Sequence, residues 1–276
     1  MPQSIAITRA ISPALAACEL THLERVPIDV ERAREQHRAY EESLIEAGYL
    51  VERLDTSPQM PDSVFVEDIA IVFDELAIIT RPGAESRRQE TPAVADALAA
   101  YRALHVIQPP ATVDGGDILV VGRTVVVGRS SRTNEAAVVQ LRQILEPLGY
   151  SVSETVFRGC LHLKSAATWL GDDLLLANPD WIDAAAFGRF RIVEVDPSEA
   201  AAANALRLHD RVIFSSSYPK TAERISRAGC RLRLVDASEL AKAEGAVTCC
   251  SLIVAGRLAT KTRKHESHFL DGEGLL

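Results

Sequence analysis

The stretch DIAIVFDELAIIT (residues 68–80) reads as two β-branched, almost wholly apolar runs on either side of an Asp74-Glu75 turn, the pattern of a β-hairpin. The pattern recurs. DILVV turns at Gly122-Arg123 into TVVVG, SAATWL turns at Gly171-Asp172 into DLLLA, and NALRL turns at His209-Asp210 into RVIFS. A last hairpin begins at Cys250 with SLIVA and turns at Gly256-Arg257. The spacing is about 40 to 50 residues, which marks a repeat architecture. After each hairpin come a stretch with helical spacing and one more strand: Leu104–Ile107, Val152–Val156, Arg191–Val195 and Arg231–Val235. The unit is therefore a ββαβ module. The N-terminal part supplies a strand at Ser4–Thr8, a helix at Val30–Ala47 and a strand at Tyr49–Leu54, which complete the module that the C-terminal strand begins. Pairing the chain ends closes five modules into a ring and leaves no open sheet edge at the seam. The expected fold is a five-bladed α/β propeller, with an α+β sandwich of hairpins as the alternative. Residues 1–260 are read as one domain and 261–276 (KTRKHESHFLDGEGLL) as a flexible tail.

Composition narrows the function classes. The 276 residues are 47% hydrophobic, and 38 acidic against 30 basic side chains give a net charge of -8. That balance argues against a nucleic-acid or anionic-membrane surface and favours cationic ligands. The five cysteines are an odd count without a C-x-x-C pair, so a reducing compartment is expected rather than a disulfide scaffold. The N-terminus has no basic region followed by an apolar core, and no apolar run is long enough to span a bilayer. The expectation is a soluble cytoplasmic protein, a monomer or homodimer, that binds a small molecule and neither nucleic acid nor membrane.

Polar clusters interrupt the starts of the modules, where a propeller directs them to a common axis. They are DSVFVED (Asp62, Glu67, Asp68), TVDGGD (Asp114, Asp117), CLHLKS (His162, Lys164) and TCCS (Cys249, Cys250). Carboxylates grouped with histidine and cysteine suit attack on a cation: acids hold a guanidinium, a thiolate adds to its carbon, and imidazole moves protons. A cationic substrate and a protonated histidine would favour the thiolate at neutral pH. Each piece also has a plain structural reading: a core cysteine, a satisfied histidine, rim acids, and D-G-G-D as a turn with glycines at positive φ. A zinc site of Cys249, Cys250 and His162 is the rival chemistry, but adjacent cysteines chelate one zinc poorly. Beyond the first two hairpins, RPGAESRR places Arg81, Arg87 and Arg88, and GRSSRTN places Arg129 and Arg132. Such loops can clamp a carboxylate. Arg81, Arg88 and Arg129 are read as solvated charges.

Taken in order, VFVEDIAIV, ITRPGAESRRQE, DGGDILVVGR, RTNEAA, LHLKS and TCCSLI resemble the dimethylarginine dimethylaminohydrolases of the guanidine-modifying pentein superfamily, from about Ile11 to Val254. The resemblance implies a five-bladed propeller that hydrolyses asymmetric dimethylarginine or monomethylarginine to citrulline and the methylated amine without a cofactor. It makes Cys249 the nucleophile, His162 the general acid/base and Asp114, where some members carry Glu, the acid of the triad. It implies guanidinium binding by Asp68, further substrate contacts at Asp62 and Glu67, and carboxylate binding by Arg87 and Arg132. Main-chain carbonyls at Leu20 and Ala243 are expected to take the α-ammonium. Lys164 and Cys250 stay outside the chemistry, with Cys250 as the first inward residue of the final strand. Inhibitory zinc at Cys249 is a further expectation, since a low-pKa thiol beside histidine can capture it. An arginine or agmatine deiminase and a non-catalytic pentein-like binding protein are the alternatives.

Overall fold

The computed structural model describes residues 4–255. The expected tail at 261–276 and the Gly256-Arg257 turn lie outside them.

The first hairpin of the repeat pairs Ala70–Val72 (β3) with Leu76–Ile79 (β4), preceded by a 3-10 turn at Val66–Ile69. DIAIV therefore becomes strand only from Ala70, because Glu67 and Asp68 sit in the turn. Thr91–Ala99 (α2) crosses back, and Ala103–Val106 (β5) adds to β4 in parallel. A helical crossover between parallel strands is what a ββαβ module requires.

Every sheet among the described residues repeats this plan, an antiparallel pair plus one parallel strand. Ile118–Val121 (β6), Thr124–Arg129 (β7) and Ser151–Val156 (β8) form the next, with Glu135–Leu145 (α3) as crossover. Ala167–Gly171 (β9), Leu174–Ala177 (β10) and Arg191–Glu194 (β11) form the third, preceded by the short helix Leu163–Ala166 (α4). Ala205–Leu208 (β12), Arg211–Ser215 (β13) and Arg231–Val235 (β14) form the fourth, with Pro219–Arg227 (α5).

The remaining sheet joins the ends of the chain. Leu252–Val254 (β15) runs antiparallel to Ile5–Arg9 (β1), and Leu50–Leu54 (β2) follows in parallel after Val30–Glu46 (α1). The five sheets are the expected five-module α/β propeller. First strands lie next to one another, with β3 beside β15, β6 beside β9 and β9 beside β12, so they surround the axis.

Helices fill the wedges between neighbouring sheets. Val138, Leu141 and Leu145 of α3 pack on Ile78 of the previous sheet and Val125 and Val127 of their own. Leu141 and Leu145 are fully buried, each contributing about 1.5–3 kcal/mol. Asn134 caps α3 by accepting from Ala137 N, and Asp29 caps α1 by accepting from Arg32 N.

One module departs from the expected pattern. Between β10 and β11 there is no α-helix, only a 3-10 turn at Ala184–Phe187 that ends at Gly188. Asp183 accepts from Ala185 N there, and the fully buried Phe187 packs on Leu119, Val126 and Leu175. One aromatic ring fills the wedge, so the shorter crossover suffices. Among the described residues no helix is long and apolar enough to cross a membrane.

Candidate active site

Short helical turns deliver the polar clusters to the axis immediately before the first strands. Val66–Ile69 precedes β3, Gly115–Asp117 precedes β6, α4 begins just after His162, and Thr248–Cys250 precedes β15. A turn here rotates side chains inward before the chain straightens into strand. Asp62, Asp68, Arg87, Asp114, Arg132, His162, Ala243 and Cys249 consequently line one cavity of about 20 Å³.

His162 is clamped between two acids. Its Nε2 lies 3.1 Å from Asp114 Oδ2, and its Nδ1 lies 3.7 Å from Asp68 Oδ1. Burial disfavours its charge, but Asp68, the Asp114 hydrogen bond and Asp117 outweigh burial and raise its pKa to about 9. It is an imidazolium at neutral pH. Asp68 feels the converse: burial pushes it up, yet His162 and Arg87 hold it below the usual carboxylate range. Asp114 Oδ1 accepts from Gly83 N at 2.9 Å, which orients its other oxygen to the histidine.

The glycines of DGGD do not occupy positive φ, so they do not serve a left-handed turn. They are needed for close approach. A Cβ on Gly116 would stand 2.7 Å from His162 Cγ and 2.8 Å from Asp68 Oδ1, and one on Gly115 would meet Glu67 O at 1.9 Å. Asp117 is the brace beneath, accepting from Ser130 and Thr133 hydroxyls at 2.6 Å and from Leu163 N at 3.0 Å.

Cys249 is 6% exposed on the cavity wall, its backbone N–H bound to Ala246 O at 3.2 Å. A low-pKa thiol was expected. Burial, then Glu67 and Asp68, instead push the thiol well above its ordinary value, so it is neutral. Cys250 does not begin the final strand. It ends the 3-10 turn, and its thiol points to Ala246 O.

The other expected residues divide into two groups. Asp62 faces the cavity and accepts from Glu19 N at 3.2 Å. Arg132 faces it too, with Nη2 3.2 Å from Thr21 Oγ1 and 3.5 Å from Glu19 Oε2. Glu67 does not line this cavity: its carboxylate accepts from Lys164 Nζ and Thr248 Oγ1, both at 2.7 Å, and borders a separate pocket along the first strands. Leu20 is partly buried beside the site without lining it. Arg87 is buried and bound by Asp68, Glu90 and Phe65 O, so most of its donors are engaged within the protein. For zinc, the group within ligand distance of one another among the described residues is Asp68, Asp114 and His162, without Cys249. Its oxygens already accept from Arg87, Gly116 N and Gly83 N.

Three residues escaped the sequence reading. Asn204, immediately before β12, donates to Thr248 Oγ1 and Lys164 O and accepts from Thr248 N, fixing the turn that carries Cys249. Its place at the head of NALRL, where the other modules carry their polar groups, was the available signal. Glu244, in the left-handed region at φ 58°, takes the N–H groups of Thr21 (3.0 Å), His22 and Leu23 (2.6 Å) on its carboxylate. Glu19 meets Arg132. Those contacts are long-range in sequence and carry no local pattern.

A family model described as "N,N dimethylarginine dimethylhydrolase, eukaryotic" matches residues 21–252. The N(G),N(G)-dimethylarginine dimethylaminohydrolase of Streptomyces coelicolor is 43% identical over 254 residues, 91% of this chain and 97% of that protein. Its Pseudomonas aeruginosa counterpart is 40% identical, over 81% of this chain and 89% of its own. The solved structure of a mutant of the P. aeruginosa enzyme complexed with citrulline superposes with a TM-score of 0.87 and 37% identity, covering 92% of this chain and 99% of that one. Over almost its whole described length, then, this chain belongs to the dimethylarginine dimethylaminohydrolase family.

Proposed function

We infer that this chain hydrolyses Nω-methylated arginines to citrulline and the methylamine, with the ring acting as one catalytic unit. Family membership supports the reaction, and the observation that carries the residue roles is the meeting of Cys249, the His162 imidazolium and the carboxylates of Asp62, Asp68 and Asp114, with Glu19 and Glu244 at the edge, at one cavity. Burial foremost, then Glu67 and Asp68, holds Cys249 as a thiol, and of these two acids Asp68 lines the cavity where a guanidinium would bind. Bringing that cation beside Sγ offsets the penalty on the charged form, so the thiol proton leaves for solvent as substrate binds.

The thiolate adds to the guanidinium carbon. His162, already protonated, gives its proton to the methylated nitrogen, whose C–N bond breaks to leave a covalent thiouronium. The imidazole then takes one proton from water, the water oxygen adds to the same carbon, and the adduct expels the sulfur, which takes up the adduct's hydroxyl proton to restore the Cys249 thiol as citrulline is released. Asp114 holds Nε2 in place through the cycle, and Nδ1, 3.7 Å from Asp68 and not hydrogen-bonded to it, is the nitrogen that exchanges protons with substrate and water. Arg132 is assigned to the substrate carboxylate, and Asp62 and the main chain near Leu20 and Ala243 to its ammonium. Arg87 acts with Asp68 as a fixed wall of the guanidinium site.

A cavity of about 20 Å³ holds little more than a water, so in this reading the largely exposed segment from Glu19 to Leu23, which brings Glu19 to the cavity, moves to admit an amino acid. The test is mass spectrometry of enzyme quenched during turnover of dimethylarginine, alongside assays on monomethylarginine, arginine and agmatine. An adduct on the peptide containing Cys249, with citrulline from the methylated compounds, is expected. Ammonia release from arginine or agmatine without turnover of dimethylarginine would instead make the chain a deiminase.

A further inference from the structure

Building on that reading, we propose that Glu19 is a specificity-determining residue, a carboxylate of the protein that sits on Arg132 until a substrate carboxylate displaces it. Glu19 Oε2 stands 3.5 Å from Arg132 Nη2, and the other oxygen accepts from Ser86 Oγ. Glu19 lines the same cavity as Cys249. Of the two candidate carboxylate-binding arginines, Arg87 finds its acidic partners in Asp68 and Glu90, in the body of the ring. Arg132 finds its partner on the segment that must open.

The pair is suited to exchange. Arg132 is 11% exposed and Glu19 43%, so solvent screens the contact and keeps it weak. An amino-acid carboxylate can present two oxygens to the guanidinium in the forked geometry that Glu19 does not adopt. Glu19 N also donates to Asp62, and Thr21 Oγ1 accepts from Arg132 Nη2, so releasing Arg132 loosens the segment over the cavity. A guanidine that lacks the carboxylate leaves Glu19 on Arg132 and the segment in place. The enzyme thus reads for an amino acid by displacement as well as by attraction.

The experiment compares wild type with Glu19→Gln on asymmetric dimethylarginine and on its decarboxylated analogue, N,N-dimethylagmatine. Glu19→Gln should lower KM for dimethylarginine about two- to fivefold, the range open to a half-exposed ion pair, with the change in KM rather than kcat. KM for the decarboxylated analogue should fall less, by only what the loosened segment contributes, because that compound has no carboxylate to take the freed Arg132. In an Arg132→Gln background the benefit of Glu19→Gln should vanish, as a double-mutant cycle requires for two residues acting on each other. An unchanged KM for dimethylarginine, an equal fall for both compounds, or a rise that would make Glu19 a ligand of the substrate ammonium, overturns the proposal while leaving the hydrolase reading intact. Wild-type enzyme inert towards dimethylarginine would sink both.

Discussion

The floor of the site and the segment above it are held by opposite means. Asp68, Asp114, His162 and Cys249 are each at most 6% exposed, and each sits in or beside a short turn leading into a first strand packed around the axis. The segment Thr21–Leu23 is exposed and lies against the ring through a few polar contacts, chiefly the Glu244 carboxylate on three backbone N–H groups. Reacting groups need fixed geometry, whereas access needs a contact that can be broken at low cost. The molecule places the first on the rigid centre of the propeller and the second on its rim.

If the floor carries the chemistry, Cys249→Ser should lower kcat by about 10⁴-fold or more while the melting temperature stays put. Near-normal turnover would break the comparison at its strongest point. His162→Gln should cost about 10²–10⁴-fold in kcat. It also tests the electrostatics, because the pKa of His162 is raised in the fold from 6.5 to about 9. A raised pKa stabilises the fold fully below pH 6.5, and that contribution is lost as pH climbs through 9. Wild-type stability should therefore decline across that window by up to roughly 3 kcal/mol, and chemical denaturation of His162→Gln should show a flatter profile.

Gly116→Ala probes how tightly the floor is packed. The added methyl has nowhere to go against His162 and Asp68, so a loss of about 1–3 kcal/mol is expected together with impaired turnover. Unaltered activity would mean that the floor yields more than its contacts suggest. The smallest effect belongs to the rim. Glu244→Gln should shift the melting temperature by less than about 4 °C while making limited proteolysis near Leu23 several-fold faster. A large drop in global stability would show that the segment is structural rather than a cover.

Much of the ring was legible from the repeat because a hairpin's register is local: apolar runs, a two-residue turn and the next strand all lie within a few tens of residues. The paired ends, β1 with β15, followed from the same count of modules. The missing helix between β10 and β11 was not legible, because Trp181 to Phe187 has apolar spacing that also suits a 3-10 turn with one buried ring. The polar clusters before the first strands were legible because each is a short-range feature, but the choice of Cys249, His162 and Asp114 within them came from the resemblance to a known family.

By itself, then, the sequence determined the repeat, the closure of the ring and the polar clusters at the starts of its modules, all of which depend on neighbours along the chain. Only the tertiary structure decided their electrical state and their partners. A thiol raised rather than lowered, an imidazole kept charged by acids 48 and 94 positions away, and an Arg132 met by Glu19 from 113 positions away arise from burial and through-space charge. Those energies depend on which groups the fold brings within a few ångströms and on how much water it removes from between them.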